Sequence, residues 1–88
     1  MAPFILFKED TIAEIHAYVT DTRRYREIYK GQVFRLMEKS EDLGCILLTF
    51  KRLDNDVMIY NLTVEANQEQ TWVEIESSES ARILYGQV

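Results

Sequence analysis

Along this chain the spacing of apolar positions changes character near residue 31. Between residues 12 and 30, Ile12, Ile15, Tyr18, Val19, Thr22, Tyr25 and Tyr29 recur at intervals of three and four. At 3.6 residues per turn they share an arc of roughly 140°. That spacing predicts one long amphipathic helix over residues 12–30. Thr11 is placed to cap it, with Glu14 three positions on completing a capping box. Asp10 and Glu14 put negative charge near the positive end of the helix dipole. Gly31 follows as a left-handed terminator. Val19-Thr20-Asp21-Thr22 has poor helix propensity and marks the place where such a helix would kink or break.

Elsewhere the pattern is that of strands. Pro3-Phe4-Ile5-Leu6-Phe7 is a short apolar run predicted to be a buried N-terminal strand. After residue 32, the runs QVFRLMEK, CILLTFKRL, VMIYNLTVE and TWVEIES are rich in β-branched and aromatic residues. They are separated by Ser40–Gly44, Asp54–Asp56 and Asn67–Gln70, connections short enough for antiparallel hairpins. A four-stranded antiparallel meander is therefore expected. Ser78 to Gly86 suggests a short C-terminal helix. The predicted fold class is α+β: an N-terminal strand, one long helix packed on the meander, and the terminal helix, in a single domain over residues 1–88.

Splitting each run by alternation reveals an excess of oily side chains. Ile46, Leu48 and Phe50 point one way, while Cys45, Leu47 and Leu53 point the other. Met58, Tyr60, Leu62 and Val64 oppose Val57 and Ile59. One helix covers only part of such a sheet, so an apolar patch is left over as a candidate surface for a partner or a second copy.

Composition narrows the class. With 88 residues, 47% of them apolar, the chain is long enough for one small core. Cys45 is the single cysteine, which rules out an internal disulfide framework and fits a reducing compartment. A buried thiol is expected there. The N-terminal apolar run is too short for a signal peptide, and no run approaches the length of a membrane-spanning helix. A cytoplasmic location is expected.

Charge is unevenly distributed. Residues 23–39 hold Arg23, Arg24, Arg26, Lys30, Arg35 and Lys39 against Glu27 and Glu38. Residues 54–80 hold Asp54, Asp56, Glu65, Glu69, Glu74, Glu76 and Glu79 without a cation. Arg23, Arg26, Tyr25 and Tyr29 suit a protein interface. They also suit stacking on single-stranded nucleic acid, though the net charge of −5 opposes a polyanion. The same residues equally fit an ordinary element edge, rings packed and polar ends in water.

Catalytic chemistry finds little to work with. His16 is the only histidine and has no partner in the pattern, and the carboxylates follow no calcium-loop spacing. There is no glycine-rich phosphate loop. Glu74 and Glu76 share one strand face, an arrangement more typical of solvation than of paired-acid catalysis. No cofactor, metal or small-molecule substrate is indicated.

The leading expectation is a small, acidic, non-enzymatic protein–protein interaction module that binds a partner protein or itself as a homodimer. Its expected contact residues are Arg23, Tyr25, Arg26 and Tyr29 on the helix, with Trp72 on the sheet. A second expectation is an inhibitor of a nucleic-acid-binding protein, acting through a DNA-like acidic surface over residues 54–80 that includes Glu74 and Glu76. A third is a nucleic-acid binder using the arginine–tyrosine ridge.

Overall fold

The computed structural model describes residues 2–17, 20–54 and 58–77, with backbone alone at 17 and 20–23. Among these residues there are seven strands and no helix: β1 (Phe4–Phe7), β2 (Thr11–Ala17), β3 (Thr20–Ile28), β4 (Val33–Asp42), β5 (Cys45–Arg52), β6 (Met58–Glu65) and β7 (Trp72–Ile75). They form one sheet in the order β3-β2-β6-β5-β4-β1-β7. Every neighbouring pair is antiparallel, and the sheet curls into a half-barrel.

The α+β expectation is thereby corrected. Residues 12–17 and 20–28 are not helical but make up most of the antiparallel β2–β3 pair, in which Thr11 opposes Ile28 and Ala13 opposes Arg26. The physical reason lies in the apolar pattern, which satisfies both periods. Alternation places Ala13 and Ile15 in the core and leaves Ile12 on the other face. Pairing of β2 with β6 (Glu14 opposite Asn61, Ile15 opposite Tyr60) then completes the backbone hydrogen bonds. Thr11 caps nothing: its hydroxyl bonds the Glu9 carbonyl at 3.1 Å and the Thr71 hydroxyl at 2.7 Å. The predicted C-terminal helix at 78–86 lies outside the described residues.

The four-stranded meander is also corrected. β4, β5 and β6 follow one another as hairpins, but β7 returns to pair with β1. The connection expected at residues 40–44 contracts to Leu43 and Gly44, because Asp42 opposes Cys45.

β1 and β2 act as one bent strand, as do β3 and β4. Leu6 opposes Val33 and Thr11 opposes Ile28, so equal lengths of chain turn the corner on both sides. At that corner the Phe7 amide donates to the Gln32 carbonyl and the Gly31 amide to the Phe7 carbonyl. The Lys30 amide donates instead to Asp10 Oδ1 at 2.9 Å. Gly31 has φ 93°, a conformation that a side chain would strain. The bend carries β1 and β2 to opposite flanks of the β4–β5–β6 meander, which is what curls the sheet.

The concave face holds the core. Phe7, Phe34, Phe50 and Tyr60 come from four different strands. Phe34 stands edge-on to Phe50 at 5.1 Å between ring centroids, and Phe50 stacks on Tyr60 at 5.4 Å. Trp72 is also buried in this cluster. Such ring pairs add about 0.5–1.5 kcal/mol each beyond the area they bury.

Candidate functional site

Two surfaces of the β2–β3 hairpin differ sharply, and they meet along β3. On the convex side, Ile12 opposes Glu27 and Glu14 opposes Tyr25. Ile12 is 62% exposed, Tyr25 72% and Tyr29 56%. The Tyr29 hydroxyl donates to Glu27 Oε2 at 3.0 Å. That hydrogen bond, reinforced by the carboxylate's charge, raises the phenol's pKa above its ordinary value. The hydrogen bond also ties the ring to Glu27, the residue that opposes Ile12.

The concave side of β3 carries cations. Arg24 opposes Ile15 and Arg26 opposes Ala13, so both lie on the face of the core residues while remaining exposed. Arg26 Nη1 donates to the Tyr60 hydroxyl at 3.4 Å. Arg52, opposite Phe34, reaches the same rim. Its fork donates to Asp54 from Nε at 3.1 Å and from Nη2 at 3.3 Å. The Asp54 hydrogen bonds and charge raise the guanidinium's pKa, with the Tyr60 hydroxyl a smaller contributor, and Asp54 is held below the usual carboxylate range in return.

At the other side of the half-barrel the concave rim is different. A bulge between Leu36 and Glu38 inserts Met37 into β4. One extra residue exchanges the two faces of everything after it. Lys39 therefore opposes Leu48 and turns inward, where its Nζ meets Glu74 Oε2 at 3.0 Å. This hydrogen bond lowers the Glu74 pKa, against a smaller opposing effect of burial.

The expected contact residues do not come together as one site. Tyr25 and Tyr29 lie on the convex face, and Arg26 projects from the opposite face of the same strand. Arg23 is among the residues whose side chains are not described. Trp72, 2% exposed, is core. Glu74 pairs with Lys39 on the far margin, and Glu76 is exposed just beyond β7. Sequence reasoning placed Ile12 toward a core and did not join Arg24 to Arg26 on one face. A strand reading of residues 24–29 would have separated Arg24 and Arg26 from Tyr25 and Tyr29.

Of the outward-turned residues in the meander, Leu47 is exposed, while Cys45 and Ile59 are half-buried. The buried thiol expected at Cys45 is thus only half-buried, since its strand position faces away from the core. Val57 lies outside the described residues.

Among the described residues, no three His, Cys, Asp or Glu side chains gather as a metal cage, and no helix is long and apolar enough to cross a membrane. No protein-family model, no curated protein and no solved structure matches the chain.

Proposed function

We propose that this chain is a small non-enzymatic interaction module that binds a partner protein through the convex face of the β2–β3 margin. The observation that carries this reading is the grouping of Ile12, Tyr25 and Tyr29. Three large side chains stand more than half exposed on one hairpin, at the margin of a sheet whose concave face buries its own core. Isolated exposed hydrophobes are ordinary, but tyrosine grouped with an aliphatic residue is the usual make-up of an interface centre. The rim around them is polar, with Glu14 and Glu27 on the same face.

Photo-crosslinking tests the reading. A benzophenone side chain is placed at Tyr25 and, as a control, at Thr63, which lies exposed on β6. Discrete protein adducts from position 25 that are lost in an Ile12→Ser/Tyr29→Ser background support it. Equal labelling from both positions overturns it. Sedimentation of the purified chain separates adducts with a second copy from adducts with another protein.

A further inference from the structure

β3 is a nine-residue strand that pairs with β2 along one side and with no described strand along the other. Marginal strands are commonly blunted by shortness, proline, bulges or charged side chains that repel an identical strand. The opposite margin, β7, has only four residues. β3 is long and contains no proline; its register against β2 shifts between Arg24 and Thr20, and the regular stretch carries Arg24 and Arg26 on the concave side. Neither forms an ion pair among the described residues, and Arg26 reaches only the Tyr60 hydroxyl.

Those arginines decide which strand can lie alongside. Two copies of β3 joined antiparallel in one continuous sheet would keep concave face with concave face. Only alternate registers are then allowed. Full overlap sets Arg24 against Arg24, and a one-step shift toward the strand's C-terminal end sets Arg24 against Arg26. Like charges directly opposite each other destabilise a sheet pair. A second β3 is disfavoured in those registers, and a strand with carboxylates at those positions is favoured.

We propose that β3 accepts an extended partner segment of alternating acidic and apolar residues as an added strand. This rests on the β2–β3 margin being a protein-binding surface, and names what it binds. The segment's carboxylates lie opposite Arg24 and Arg26 on the concave side. Its apolar residues fall on the convex side against Tyr25, with Ile12 one strand further in. Main-chain hydrogen bonds to the side of β3 that no described strand occupies hold it, and the two faces select its pattern.

The test uses the full chain and a fluorescent peptide of alternating Glu and Val, about ten residues long, read by anisotropy. A Lys/Val peptide and a Glu/Val peptide with alternate amides N-methylated are the controls. The Glu/Val peptide is expected to bind and the other two to fail. Arg24→Glu/Arg26→Glu weakens Glu/Val binding at least about tenfold and admits the Lys/Val peptide. Arg24→Gln/Arg26→Gln, a milder change, weakens Glu/Val binding in the same direction, and circular dichroism establishes that each variant is folded.

Unchanged affinity in folded arginine variants overturns the proposal. So does tight binding of the N-methylated peptide, which would mean charge attraction without strand pairing. If the Glu/Val peptide fails while Tyr25 adducts persist, strand addition falls and the interaction module stands. Loss of both removes the module as well.

Discussion

Thr11 and Thr71, 60 positions apart in the chain, share a hydrogen bond of 2.7 Å between their hydroxyl oxygens. Thr11 begins β2, near one margin of the sheet, and Thr71 immediately precedes β7 at the other. One residue of β1's corner joins the same junction, since the Lys8 amide donates to the Thr71 carbonyl at 2.8 Å. The curl is therefore fastened at the corner end, where the bent strand passes from one flank of the meander to the other.

Thr71→Val removes the hydroxyl but keeps the side chain's shape and the backbone bond. A cost of about 1 kcal/mol is expected. For a domain of this size that lowers the melting temperature by about 4–8 °C. An unchanged melting curve would mean the hydroxyl pair does not hold the margins together.

Lys39 and Glu74 should couple stability to pH in the acid range. Glu74's folded pKa lies below its ordinary value of 4.5. Its contribution is therefore present above that value and is lost as pH falls through the lower, folded one. Glu74→Gln is expected to cost up to about 1 kcal/mol at neutral pH, given the partial exposure of the pair. Urea denaturation across pH should show the two proteins converging as the solution becomes acidic. A constant difference down to the lowest pH would contradict this.

Leu43 occupies a position its residue type disfavours. With φ 50° at Leu43 and 78° at Gly44, both turn residues are left-handed, as a two-residue hairpin turn of type I′ requires. Leu43 is also 95% exposed, so its side chain contributes no packing in return. Leu43→Asn is expected to stabilise by about 1 kcal/mol. The urea midpoint should rise at unchanged slope. Gly44→Ala should move it the other way.

Phe50 and Tyr60 distinguish packing from polar support. Phe50→Ala empties the centre of the aromatic cluster, and about 3–5 kcal/mol of stability should go with it. Tyr60→Phe keeps the stacked ring and loses only the hydroxyl that Arg26 contacts, for about 1 kcal/mol or less. Thermal denaturation of the two variants should differ severalfold in effect.

Local patterning sufficed for β1 and for the apolar runs that became β4, β5, β6 and β7. Their β-branched and aromatic residues, punctuated by Gly44 and the acidic turns, admit little else. It did not suffice for residues 11–28. Ile12 and Ile15 are three apart, which suits a helix, while Ala13 and Ile15 alternate, which suits a strand. The candidate surface inherited that ambiguity: on a helix, Tyr25 and Arg26 would sit on adjoining ridges, whereas on β3 they point to opposite faces.

Composition and short-range periodicity thus specified where most strands run and where the chain turns between them, because those depend on each residue's own stereochemistry and near neighbours. Tertiary structure alone decided that β2 lies against β6, that β7 leaves the meander for β1, and that the inserted Met37 turns Lys39 inward to Glu74. Each of these depends on pairing between segments far apart in the chain. Such pairing satisfies backbone groups that no local pattern can assign, and a one-residue shift in it exchanges buried and exposed faces.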